Sequence, residues 1–221
     1  DKMMYFGEMA LADLEGVDLI VLVETTEPVA FFAYPDRPSL LVPEGCAVAS
    51  LCGRVADGPA ALQALADALG APEAPPVEGL ELPGMPGGAF NPYSIGASIA
   101  RHMPENAIVS DDAVTAGLPV WQSTKTARPH DWLCLTGGAI GQGIPLAIGA
   151  AVACPDRKVL SLNGDGAAMY TVQGLWTIAR EQLDVTVVVV ATHAYRILNI
   201  EMGRTGAGNP GPAASKLLEL G

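Results

Sequence analysis

Apolar residues along this chain fall in short blocks whose period changes from block to block. Residues 17–23, Val-Asp-Leu-Ile-Val-Leu-Val, form a near-continuous apolar run of strand length, which predicts a parallel strand buried on both faces. Residues 47–51 predict a second short strand and 8–15 a helix, so 1–55 reads as the end of one α/β domain. The spacing of Ala60, Leu62, Leu65, Ala66 and Leu69 predicts a helix over 59–70, closed by Gly70. Prolines and glycines then crowd residues 71–90 without a sustained period, and 56–90 is expected to be a helix and a linker.

From residue 91 onward the period alternates. Helices are expected over 92–102, from 143 to 153 and over 171–180. Strands are expected over 107–110, 158–162 and 185–190, the last of them central in its sheet. Such alternation predicts an α/β domain over 91–221, a parallel sheet with helices on both faces. With no Met at position 1 and an end at Gly221 close behind a helical pattern, the sequence reads as part of a longer protein.

Half the residues are hydrophobic and 16% are charged, enough to bury a large core. No apolar run reaches membrane-spanning length, so no membrane is expected. The net charge of −12 repels phosphate backbones and argues against nucleic acid. Cys46, Cys52, Cys134 and Cys154 form no C-x-x-C pair, which fits free thiols in a reducing cytoplasm. No Ser/His/Asp hydrolase pattern, Rossmann fingerprint or P-loop is present.

The chemistry concentrates after the strand 158–162, at Gly164-Asp165-Gly166-Ala167. In a parallel sheet, ligands sit outside the carboxyl ends of the strands. Thr192 follows the strand 185–190 and lies 27 residues after Asp165, ample for a crossover that brings the two together. The N–H groups of Gly166 and Ala167 open a helix and favour an anion. Asp165 would repel a bare diphosphate, but it suits one held through Mg²⁺, which takes oxygen ligands from carboxylates and phosphates alike. A second constellation is Thr136-Gly137-Gly138-Ala139-Ile140-Gly141-Gln142-Gly143, whose glycines allow close backbone approach to a flat ring. Asp111 and Asp112 follow a strand on the same sheet edge and read equally as a helix N-terminus with acids stabilising its dipole.

Gly164-Asp165-Gly166-Ala167, followed by Thr171-Val172-Gln173-Gly174-Leu175-Trp176 and the strand leading to Thr192, resembles the thiamine-diphosphate motif. The branch resembled is that of acetolactate synthase large subunits and benzoylformate decarboxylase. It implies a thiamine-diphosphate-binding fold over 91–221, truncated at its C-terminal end, with 1–55 as the end of the family's central domain. It implies thiamine diphosphate and Mg²⁺ as cofactors, with Asp165, Thr192 and the carbonyl of Ala194 on the metal. Thr192 stands where the family has Asn, and its side chain is shorter by about one bond, roughly 1.5 Å. Thr115 is implied on the diphosphate, and the Gly138 carbonyl and Ile140 N–H on the aminopyrimidine. The Ile140 side chain is the implied wedge that bends the cofactor, and Leu198 faces substrate. The resemblance further implies a 2-oxo acid as substrate and an identical subunit that contributes a pyrimidine-binding domain with the activating Glu. The expected activity is carboligation or decarboxylation of the acetolactate synthase type. Benzoylformate-type decarboxylation, a non-catalytic assembly subunit and a nucleotide-binding α/β domain are the alternatives, and the fragment alone is expected to be inactive.

Overall fold

The computed structural model describes residues 3–77 and 79–221. They form two compact units, one up to Val77 and one from Gly79 onward. In the first unit, helix α1 (Gly7–Asp13) precedes strand β1 (Leu19–Val23), which pairs in parallel with β2 (Ala47–Cys52). Helix α2 (Gly58–Leu69) follows; the Asp57 carboxylate accepts from Ala60 N–H, Pro59 stands in its first turn, and Gly70 closes it in the left-handed region. The parallel pairing is as expected, but β1 is not buried on both faces. Leu19 and Val21 are 51% and 44% exposed, because the described residues of this unit supply a sheet of two strands, too narrow to be covered on both sides.

The second unit carries a parallel four-stranded sheet in the order β4-β3-β5-β6. Helix α3 (Pro92–His102) is started by a capping box between Asn91 and Ser94. Then come β3 (Ala107–Asp112), α4 (Gly117–Thr124), β4 (His130–Leu133), α5 (Gly143–Ala153), β5 (Val159–Gly164), α6 (Asp165–Tyr170), α7 (Gly174–Arg180), β6 (Val185–Val190), α8 (Arg196–Arg204) and α9 (Pro212–Leu218). Alternate residues of β3 point to opposite faces. Val109 joins Met103, Val120 and Leu162 on the face covered by α3 and α4, whereas Ile108 joins Val159, Ala147 and Ala151 on the face covered by α5. Helices therefore lie on both faces of a parallel sheet, as the alternation predicts.

Two local expectations change. The valine-rich strand β6 is at the sheet edge rather than its centre, and Val189 is 47% exposed. Asp111 and Asp112 do not begin a helix. They are the last residues of β3, 4% and 1% exposed, and the next helix starts only at Gly117.

Candidate functional site

Strands β5 and β6 are neighbours, paired in register up to Gly164 and Val190. Their carboxyl ends therefore deliver Asp165 and Thr192 to one spot. The Asp165 carboxylate accepts from the backbone N–H of Thr192 at 2.8 Å and of His193 at 2.6 Å, and from its own helix at Gly166 N–H, 3.0 Å. The Thr192 hydroxyl lies 3.3 Å from Asp165 Oδ1 and 3.0 Å from the Ala194 carbonyl oxygen. His193 adopts φ +57°, and this left-handed residue turns two successive N–H groups onto one carboxylate. The loop is held from behind: Tyr195 N–H donates to Leu218 O, and Leu220 N–H donates to His193 O.

Three oxygens of different origin thus converge: a carboxylate, a hydroxyl and a backbone carbonyl. This donor set has the chemistry that a hard divalent cation takes, and its residues are the three that the family resemblance implies on the metal. The Ala194 carbonyl also accepts from Arg196 N–H at 2.8 Å, so a cation would replace one of its two hydrogen bonds. Two cavities flank the loop. One, of about 280 Å³, is lined by Asp165, His193, Met169, Val172 and Leu175 among others. The second, of about 440 Å³, is lined by Thr192, Ala194, Arg196, Asn199 and Ile200. Leu198 lies on α8, 47% exposed, outside that lining.

The Gly-rich segment before α5 lies against the end of α6, where the Thr171 hydroxyl donates to the Gly141 carbonyl. Ile140 N–H donates to Gly138 O at 2.9 Å, so the two groups expected on the aminopyrimidine bond to each other here. Gly166 and Ala167 are buried, and the Tyr195 ring lies against Gly166, where an added Cβ would come within 2.6 Å of it. Thr115 sits in the turn between β3 and α4, half-buried. His130 opens β4 opposite Ala107, at the amino end of the strands and so away from the site.

Sequence reasoning missed a polar floor beneath the Gly-rich segment. Ser110 and Asp112 of β3 stand in register with Ser161 and Asn163 of β5, and all four side chains are buried. The Asp112 carboxyl accepts from Gly141 N–H at 2.8 Å and Gly143 N–H at 3.0 Å. Both serine hydroxyls donate to the Gly143 carbonyl, at 2.9 and 3.2 Å. An added Cβ on Gly143 would meet Asn163 Oδ1 at 2.4 Å, so only glycine fits. The available signal was a pair of acids ending an apolar strand, because buried carboxylates require donors.

Burial pushes the Asp112 carboxyl above its ordinary value of 3.8; the Gly143 and Gly141 N–H groups oppose the shift and the neighbouring Asp111 charge adds to it. A carboxyl whose folded value is raised contributes most below the unfolded value, and that contribution is lost as pH rises through the folded value. Asp112→Asn removes this titration. Its stability relative to the parent should therefore increase as pH rises from about 3.8 through the raised value and level off above it. Urea unfolding across pH checks this; a difference that is flat with pH would contradict it.

A parallel α/β domain with a carboxylate, a hydroxyl and a backbone carbonyl gathered across two neighbouring strand ends is the arrangement that the resemblance to thiamine-diphosphate enzymes implies. Comparisons with known proteins agree. The family model "Thiamine pyrophosphate enzyme, C-terminal TPP binding domain" matches residues 112–216. A Mycobacterium tuberculosis protein, provisionally named acetolactate synthase large subunit IlvX, is 50% identical over all of this chain and 43% of its own length. The acetolactate synthase isozyme 1 large subunit of Escherichia coli K12 is 36% identical over 54% of this chain and 22% of that protein. The Rhodococcus jostii RHA1 thiamine diphosphate-dependent 4-hydroxybenzoylformate decarboxylase shares the fold, with a TM-score of 0.74 at 23% identity, over 99% of this chain and 43% of that one. The chain belongs to the thiamine-diphosphate-dependent enzyme family, in the branch of acetolactate synthase large subunits and benzoylformate decarboxylase. It spans less than half the length of these relatives. Among the described residues, no helix is long and apolar enough to cross a membrane.

Proposed function

We propose that this chain supplies the diphosphate- and metal-binding part of a thiamine-diphosphate- and Mg²⁺-dependent enzyme that decarboxylates a 2-oxo acid and joins the remaining fragment to a second carbonyl, as acetolactate synthase does. The observation that carries this reading is the convergence of Asp165, Thr192 and the Ala194 carbonyl at the ends of β5 and β6. When bound, the cofactor supplies a carbon nucleophile and an electron sink for cleavage beside the keto group. The chain's own residues do the holding. Asp165, Thr192 and Ala194 take the metal, Gly166, Ala167 and Thr115 face the diphosphate, Gly138 and Ile140 the aminopyrimidine, and Leu198 the substrate side. The Ile140 side chain is the wedge that imposes the reactive bend, so that proximity contributes to rate. An identical subunit contributes the pyrimidine-binding domain and its Glu, which makes the working protein a homo-oligomer of the cytoplasm.

The test is turnover by the full-length protein with pyruvate and with benzoylformate, with and without thiamine diphosphate and Mg²⁺. Acetolactate from pyruvate supports this reading. Benzaldehyde from benzoylformate moves the assignment to a decarboxylase. Absence of turnover in a folded protein that binds the cofactor points to an assembly role, which the substitution of Thr for Asn at position 192 favours. Stabilisation by ATP with no effect of thiamine diphosphate would overturn the reading altogether. A narrower expectation concerns Thr192. An Asn there reaches about 1.5 Å further toward the cation, and Thr192→Asn should tighten Mg²⁺-dependent cofactor binding by about tenfold. Calorimetric titration measures this, and unchanged affinity would mean that the metal lies elsewhere.

A further inference from the structure

The mechanism above uses Asp165 and leaves unexplained a second, more deeply buried acid. Asp112 is 1% exposed, at the carboxyl end of β3, and its two acceptor bonds both go to the Gly-rich segment rather than to its own turn. Asp112 Oδ1 and Asn163 Oδ1 are buried with no hydrogen-bond partner. A buried polar group in such a position calls for an explanation, since desolvation without full pairing is costly. Packing alone does not give one, because an apolar residue there would avoid the desolvation.

Gly141 shows what the acid achieves. Its N–H donates to Asp112, and its carbonyl accepts from the Thr171 hydroxyl at 2.7 Å. It adopts φ +95°, and an added Cβ would lie 2.6 Å from Tyr170 Cβ. Gly141, the residue that follows Ile140, is thus held through both its N–H and its carbonyl, by the end of β3 and by the residue that follows α6. Helix α6 itself begins with Asp165.

We propose that Asp112 is a positioning residue for the cofactor cradle: through Gly141 and Gly143 it fixes residues 138–143 against the strand ends, and so sets Ile140 relative to the metal cluster of Asp165 and Thr192. The inference rests on the functional reading above and names what tunes that same site. In this role Asp112 makes no contact of its own with the cofactor. It acts through two backbone N–H groups, and Thr171 completes the grip.

A positioning role and a merely stabilising one differ in what they spare. In the full-length protein, Asp112→Ala should speed amide hydrogen exchange at Gly141 and Gly143 and leave the Asp165-bound amides of Thr192 and His193 unchanged. It should weaken thiamine diphosphate binding by about tenfold while Mg²⁺-dependent binding of inorganic pyrophosphate stays at the parent level. Asp112→Asn keeps an acceptor for these amides and should restore most of the affinity. Thr171→Val removes only the hydroxyl on the Gly141 carbonyl and should give the same split between the two ligands in milder form, which decides the matter if Asp112→Ala does not fold. Parallel weakening of both ligands in the folded variants, or no weakening of either, overturns the inference alone. Failure of the parent protein to bind thiamine diphosphate overturns the functional reading and this inference with it.

Discussion

Asp165→Ala in the full-length protein is expected to lower Mg²⁺-dependent pyrophosphate affinity by roughly 100-fold, the equivalent of about 2.8 kcal/mol. The expectation follows from what the carboxylate holds. It accepts from the N–H groups of Gly166, Thr192 and His193, and it is the only charged member of the oxygen cluster. Its removal takes away the anionic ligand and releases the loop that presents Thr192 and the Ala194 carbonyl. Stability should also fall, by about 3 kcal/mol, because donors that faced a charged acceptor lose it and only the more exposed ones regain water. Asp165→Asn should lose affinity almost as completely with a smaller loss of stability, since its amide supplies one oxygen but turns a donor toward other donors. Titration with Mg²⁺ and pyrophosphate and urea unfolding measure the two effects. Retained affinity in both variants would remove the carboxylate from the site.

Gly141→Ala is expected to destabilise the second unit by roughly 3–5 kcal/mol. Two independent penalties add here. The first is the backbone, because φ +95° is a conformation that L side chains rarely adopt. The second is space: the new methyl would stand 2.6 Å from Tyr170 Cβ, an atom fixed to the backbone of α6, which cannot swing away as the tip of a long side chain can. The shift that relieves the overlap breaks the bonds from Gly141 to Asp112 and Thr171. The urea midpoint of the variant against the parent measures the loss, and a change below about 1 kcal/mol would show that the segment has a second, unstrained arrangement.

Much of this architecture can be read from residue patterns, and the exceptions have physical causes. Helix and strand periods alternate clearly after residue 91, and Asp165 with Thr192 follows two apolar strands at a distance that suits a crossover. Local signals suffice for that. Strand β4 went unread because His130-Asp131-Trp132-Leu133 is four residues long and opens with two polar ones. Helix α4 went unread because Gly117 and Pro119 stand in its first turn, where a sequence scan meets breakers rather than helix formers. The edge position of β6 could not be foreseen, since a run of valines fits either an edge or a central strand. Asp112 was hardest, because its partners are 29 and 31 residues away and are backbone groups, which carry no side-chain signature.

Helix α6 begins at Asp165, the proposed metal ligand, and Thr171, the residue after it, donates to the Gly141 carbonyl of the Gly-rich segment. Its six residues span about 9 Å, and each residue added would turn Thr171 by about 100° around the helix axis. On the proposed function, the segment 165–171 would act as a yardstick between the two ends of an elongated ligand, and a change in its length is expected to abolish the Thr171–Gly141 contact. The exposed stretch around Gly206 and Gly208 carries no such duty, so insertions and deletions across relatives should collect there and spare the yardstick.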